Sequence, residues 1–123
     1  MRVEARAEEF MTDDAELIVV AFGSMGRIAK SAIRKLRGKG RKVGLVRPVT
    51  LYPFPEDALV KLAKQGKRFL TIEHNTGQMV DDVRLALRTI TDSDFHGIMP
   101  GDIPGADDFV APIRAALDSM GRK

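Results

Sequence analysis

The groups in this chain with chemistry to offer are two histidines, a few carboxylates and a serine set among glycines, gathered in short segments. The first segment is Gly23-Ser24-Met25-Gly26-Arg27, between an apolar run and a helical pattern. A strand that feeds such a turn into a helix presents unpaired backbone N–H groups and the positive end of the helix dipole, which suits an anion. Arg27 adds a cation. The segment is neither the GxGxxG dinucleotide fingerprint nor a P-loop, which ends Gly-Lys-Ser/Thr. Ser24 also lacks the glycine spacing of a nucleophile elbow. Two readings stand: an anion-binding turn built by Gly23, Ser24, Gly26 and Arg27, or a plain turn in which Ser24 caps the helix.

The second segment, Glu73-His74-Asn75-Thr76-Gly77-Gln78, is the densest polar cluster. Glu73 and His74 are neighbours on an extended run, so their side chains point to opposite faces and do not form a direct catalytic pair. The second histidine, His96, belongs to a different run, and no carboxylate cluster stands at metal-ligand spacing. Asn75 and Gly77 supply turn conformations, and Asn75 or Thr76 can cap the next helix. A third segment, residues 47–55, holds Arg47, Thr50, Tyr52, Phe54 and three prolines. A stiff apolar loop of this kind either folds onto its own core or anchors a partner. No catalytic residue and no metal ligand is assigned. Arg47, Thr50, Tyr52, Phe54, Glu73, His74, Asn75 and Gln78 are expected at an interface.

These segments need strands and helices to position them. Residues 16–22 form a continuous apolar run rich in Ile and Val, the pattern of a strand buried on both faces. Ile28, Ala29, Ala32, Ile33 and Leu36 mark a helical face, stopped by Gly38 and Gly40. Residues 43–47 read as a second strand closed by Pro48, and residues 68–73 as a third. Helices carrying Ala58, Leu59, Leu62 and Ala63, then Met79, Val80, Val83, Leu87 and Ile90, come after these strands. A fourth, short strand lies near 95–98. A last helix carries Phe109, Ile113, Leu117 and Met120, and Pro112 requires its regular part to start close before that proline. Val3, Ala7, Phe10 and Met11 recur at helical spacing, so residues 2–11 read as a short helix, a lead-in (residues 1–12) from an upstream domain. Strand, turn and helix in repetition predict an α/β fold with a largely parallel sheet covered on both faces.

Composition narrows the functional classes. The chain of 123 residues has no Cys, no Trp and one Tyr. It therefore offers no thiolate for zinc, iron–sulfur or nucleophilic chemistry. Scarce aromatics speak against a nucleic-acid partner. No apolar stretch is long enough for a membrane span, and the N-terminus lacks a signal-peptide pattern, so a soluble, cytoplasmic single domain spanning residues 1–123 is expected. Net charge is +3, unevenly spread: −4 over residues 1–16, +9 over 17–55 with no acid at all, and −2 over 56–123. The basic block is either a solvated helix face or a docking surface for an acidic protein or an anionic cofactor.

Three blocks, taken in order, carry a likeness: residues 13–32 (DDAELIVVAFGSMGRIAKSA), 42–55 (KVGLVRPVTLYPFP) and 77–86 (GQMVDDVRLA). Together they closely resemble the C-terminal part of the alpha subunit of 2-oxoacid:ferredoxin oxidoreductases, most of all the branched-chain (2-oxoisovalerate) type. His74 departs from a commoner Glu-x-Asn with a smaller or apolar middle residue. The resemblance implies a transketolase C-terminal-like domain, a three-layer α/β/α sandwich with a mostly parallel sheet. It implies an enzyme complex that oxidatively decarboxylates a 2-oxoacid to an acyl-CoA and passes electrons to ferredoxin. Thiamine diphosphate, magnesium and iron–sulfur clusters are then expected on other domains or subunits and no cofactor on this chain. Its expected partners are the rest of the alpha subunit and the other oxidoreductase subunits, with ferredoxin and CoA reached through the complex; a homo-oligomer is also allowed.

Overall fold

The structure is a computed structural model that describes residues 7–21, 24–48, 56–74, 78–87, 93–98 and 105–120. Five strands and four helices alternate after an initial pair of strands: β1 (Ala7–Phe10), β2 (Leu17–Ala21), α1 (Ser24–Arg37), β3 (Val43–Pro48), α2 (Glu56–Lys64), β4 (Arg68–His74), α3 (Gln78–Leu87), β5 (Ser93–Ile98) and α4 (Ala106–Met120). They build one sheet in the order β1-β3-β2-β4-β5. β2, β3, β4 and β5 run parallel, and β1 joins the outer side of β3 antiparallel.

Alternation along the strands sorts the core into two layers. Leu17, Val19 and Ala21 of β2, with Val43, Leu45, Leu70 and Ile72, pack beneath Ala29, Ile33 and Leu36 of α1 and Phe109 and Ile113 of α4. Ile18, Val20, Val46 and Phe69 face the other way, under Leu59 and Leu62 of α2 and Val83 and Leu87 of α3. Every residue of β2 is buried, as a strand covered on both faces must be. The architecture is thus the expected α/β sandwich with a mixed, mostly parallel sheet.

Buried polar groups are tied to particular partners. Lys67 is buried, and its Nζ donates to the Ala15 and Asp13 carbonyls at 2.8 and 3.1 Å, fastening the entry of β2 to that of β4. The Thr71 and Ser93 hydroxyls, also buried, lie 2.8 Å apart between β4 and β5. Hydrogen-bonded in this way, such groups avoid the cost of an unsatisfied buried donor or acceptor.

Three expectations need correction. Residues 7–10 are not helical: β1 pairs with β3 in the register Ala7↔Pro48, Glu8↔Arg47, Glu9↔Val46 and Phe10↔Leu45. Edge pairing and contacts made far along the chain override the local helical spacing of the apolar residues. The remainder of that lead-in, residues 1–6, lies outside the described residues. Second, α4 begins at Ala106, well before Pro112, which stands inside the helix. The interruption is tolerated on the outer side, where Asp108 and Ala111 are exposed to water. Third, β5 starts at Ser93, two residues ahead of the expected boundary.

Candidate functional site

Strand order fixes where a site can form. β2 leads through α1 to β3 on one side, whereas β4 leads through α3 to β5 on the other. Connections leaving the carboxyl ends of neighbouring β2 and β4 diverge, and such a switch point opens a crevice between them. Ala21, the last residue of β2, pairs with Ile72, and β4 runs on through Glu73 to His74. Topology therefore brings the start of α1 and the end of β4 to one margin of the sheet. β3 ends at that margin too, with Arg47 next to its last residue.

Around the first turn of α1 the side chains form a defined cluster. Arg47 leans across Gly26: a Cβ built at Gly26 would stand 2.3 Å from Arg47 Cδ and 2.8 Å from Cγ. Beyond that turn, Arg47 Nη2 donates to Glu8 Oε2 at 3.0 Å, and Glu8 is the residue opposite Arg47 in the β1–β3 ladder. Lys30, one helical turn after Gly26, forms an ion pair with the other Glu8 oxygen. The hydrogen bond from Lys30, then that from Arg47, holds the Glu8 carboxyl below its usual range, against a smaller opposing effect of desolvation. A carboxylate kept ionised between two cations is a weak base, so this is a structural clamp rather than general-base machinery.

The rest of β1 is fastened in the same manner. Lys61 Nζ of α2 donates to Glu9 Oε2 at 3.0 Å, and the Thr12 hydroxyl donates to Glu9 Oε1 at 3.0 Å. Lys30 and Arg34 stand 5.6 and 5.3 Å from the centre of the Phe10 ring, in the range of cation–π attraction. Arg37 Nη2 donates to Asp14 Oδ1 and to the Met11 carbonyl, each at 2.7 Å, and its Nε donates to the Val43 carbonyl at 2.8 Å. Asp14 is held below its usual pKa, chiefly by the Arg37 hydrogen bond. The acidic first block of the sequence thus meets the basic second block within one molecule.

The residues singled out from sequence fare differently. Gly26 and Arg27 lie in the first turn of α1, Arg27 exposed and Gly26 buried under Arg47. Lys30 and Arg47 are already engaged by Glu8, which leaves Arg27 as the exposed cation of that turn. Glu73 is buried within the domain and pairs with Gly97 of β5, so little of it is presented to a partner. His74 ends β4 opposite Ile98, and Ser24 and Gln78 open α1 and α3; the side chains of these three lie outside the description. Gly23, Thr50, Tyr52, Phe54 and Asn75 lie outside the described residues. His96 is half-buried on β5, and among the described residues no group of three His, Cys, Asp or Glu side chains converges as a metal site. Glu8 and Lys30 do not stand out in the sequence, although the opposed charges of the two blocks hint at such a pairing.

Comparison with known proteins fits this geometry. The family model described as pyruvate:ferredoxin oxidoreductase core domain II matches residues 15–109. A ketoisovalerate oxidoreductase subunit, VorB of Methanothermobacter thermautotrophicus, is 48% identical over 83 residues, covering 68% of this chain and 24% of the relative. A 2-oxoglutarate synthase subunit, KorA of Methanocaldococcus jannaschii, is 46% identical over 70 residues, 57% of this chain and 19% of the relative. The chain therefore spans about a quarter or less of these relatives. Among solved structures, a split-gene transketolase described as an inactive beta4 tetramer superposes with a TM-score of 0.77 at 23% identity, covering 96% of this chain and 43% of that one. The 2-oxoglutarate:ferredoxin oxidoreductase of Magnetococcus marinus superposes at 0.75 and 20% identity, over 91% of this chain and 20% of that one. Both likenesses establish the transketolase C-terminal-like fold.

Proposed function

The chain belongs to the pyruvate:ferredoxin oxidoreductase core domain II family, and on that basis we propose that it serves as a structural and interface domain in the alpha subunit of a cytoplasmic 2-oxoacid:ferredoxin oxidoreductase. The complex oxidatively decarboxylates a 2-oxoacid of the branched-chain type, transfers the acyl group to CoA and delivers the electrons to ferredoxin. The observation that carries this reading is the match of the family across nearly the whole sheet, together with the 48% identity to the VorB subunit. Among the described residues no helix is long and apolar enough to cross a membrane.

The residues present do not fit the iron–sulfur clusters of such a complex. A chain without cysteine has no thiolates to hold an iron–sulfur cluster. We assign no step of the reaction to this domain. Its contribution is to shape the carboxyl margin of the sheet, where β3 and β4 end on either side of β2, as a surface for the rest of the complex. Arg47, Thr50, Tyr52, Phe54, His74, Asn75 and Gln78 are the residues proposed to meet it, while Glu73 is buried within the domain.

Co-expression with the companion subunits of such an oxidoreductase tests this reading. The chain is expected to co-purify with them, and the assembly to reduce a viologen dye dependent on both CoA and 2-oxoisovalerate. The chain alone, supplied with thiamine diphosphate and magnesium, is expected to be inactive. Decarboxylation by the isolated chain, or failure to associate with any companion subunit, would overturn the proposal.

A further inference from the structure

We propose that the outer edge of β3 is a strand-docking site that a second copy of this chain fills with its own β1, joining two copies by strand exchange. β1 is held differently from the rest of the sheet. None of its four residues is fully buried, whereas every residue of β2 is. Beyond the ladder to β3 and the partial burial of Ala7 and Phe10, its attachments are charged. Glu8 pairs with Lys30 and Arg47, Glu9 pairs with Lys61, and the Phe10 ring meets Lys30 and Arg34. The ion pairs are partly exposed, so salt screens them. A segment with little buried apolar surface opens at a lower free energy than the whole domain unfolds. The edge it leaves carries the backbone groups of β3 and the cations Lys30, Arg47 and Lys61. That edge suits an extended segment with two adjacent glutamates followed by an aromatic ring.

A second copy supplies that segment by identity. Its β1 rebuilds the ladder, the ion pairs and the ring contacts, and only the connection to β2 changes. That connection is strained. Among the described residues Met11 is the one non-glycine at positive φ, 54°, a conformation that is costly for a residue with a Cβ. Residues 11 and 12 also cross Gly44 of their own β3, where a Cβ would stand 2.6 Å from the Met11 carbonyl oxygen and 3.0 Å from Thr12 Cα. Two hydrogen bonds of this closed connection oppose its release. Arg37 Nη2 donates to the Met11 carbonyl at 2.7 Å, and the Ala15 N–H donates to the Thr12 carbonyl at a long 3.3 Å. An extended connection gives these up and takes Met11 out of the left-handed region. A short, strained hinge next to an edge that its own strand complements is the arrangement from which exchanged dimers form.

Exchange is independent of the oxidoreductase reading and is tested on the 123-residue chain itself, by gel filtration with light scattering. Incubation at high protein concentration in high salt screens the ion pairs. On return to low salt, part of the monomer is expected to have become a dimer that persists on dilution. The chain has no cysteine, so facing positions of the ladder can be marked in separate chains. Ala7→Cys in one chain and Pro48→Cys in a differently tagged one are expected to give a disulfide-linked heterodimer after this treatment. Ala7→Cys mixed with Arg114→Cys, which lies on α4 in the layer opposite to the one Ala7 packs on, is expected not to. Met11→Gly, which adopts the positive φ without strain, is expected to lower the dimer fraction about fivefold or more. Gly44→Ala closes the crossing and is expected to raise that fraction. Thermal melts establish that each variant folds, and the Met11→Gly comparison does not depend on the stability of Gly44→Ala. A chain that stays monomeric, a dimer without the cross-link between positions 7 and 48, or Met11→Gly dimerising as readily as the wild type would overturn the proposal.

Discussion

Gly26 is required by its neighbour rather than by its own helix. Within α1 it costs about 1 kcal/mol relative to Ala, and no positive φ compensates, since among the described glycines only Gly40 and Gly66 adopt one. What requires it is the Arg47 side chain, lying where a Cβ would be. Gly26→Ala must therefore push Arg47 away from Glu8. An overpacking cost of about 1–3 kcal/mol set against the helix-propensity gain gives a net loss of about 1 kcal/mol. In an Arg47→Ala background the same substitution is expected to stabilise, by up to about 1 kcal/mol. Urea denaturation of the four proteins of this cycle measures both effects; a loss that persists without Arg47 would place the conflict elsewhere. At this scale the sequence is half legible. The opening of a helix close after Phe22 can be read from its order, although α1 already includes Ser24 to Gly26 where a turn is expected, but not the arginine far along the chain that crosses it, because local pattern carries no contact information.

The elements show the same division. β2, α1, β3, β4 and α3 can be read from apolar runs and helical stripes, since each buries a face whose period is written locally. β1 cannot: its Glu-rich composition favours a helix, and its strand conformation rests on Arg47, Lys30 and Lys61, all supplied from other elements. Its connection to β2 depends on a second close approach. A Cβ at Gly44 of β3 would meet the Met11 carbonyl oxygen at 2.6 Å and Thr12 Cα at 3.0 Å, both backbone atoms. Met11 sits there at φ 54° with its carbonyl gripped by Arg37. Because backbone cannot swing aside as a side chain can, Gly44→Ala is expected to cost about 2–3 kcal/mol. Hydrogen exchange should show protection lost first in β1. A change below about 0.5 kcal/mol would mean that the crossing is not as tight as its geometry.

Over the whole molecule, the three charge blocks acquire a meaning that their order alone does not supply. Glu8, Glu9 and Asp14 of the N-terminal block lie against cations of α1, β3 and α2, so part of the basic block is neutralised internally. This organisation has a pH signature. Glu8 and Asp14 both have folded pKa values below their ordinary 4.5 and 3.8. A lowered carboxylate pKa contributes stability that is fully present above the ordinary value and lost as pH falls through the depressed one. Glu8→Gln with Asp14→Asn is therefore expected to melt below the wild type at neutral pH. The gap should stay constant down to the ordinary carboxylate range and close as acid protonates the wild-type pair. Added salt should narrow it at neutral pH, because these pairs are partly exposed and screened. Melting curves across that range at two ionic strengths decide the matter. A gap undiminished in acid would show that the N-terminal strand is held by its backbone ladder and the Phe10 ring rather than by its carboxylates.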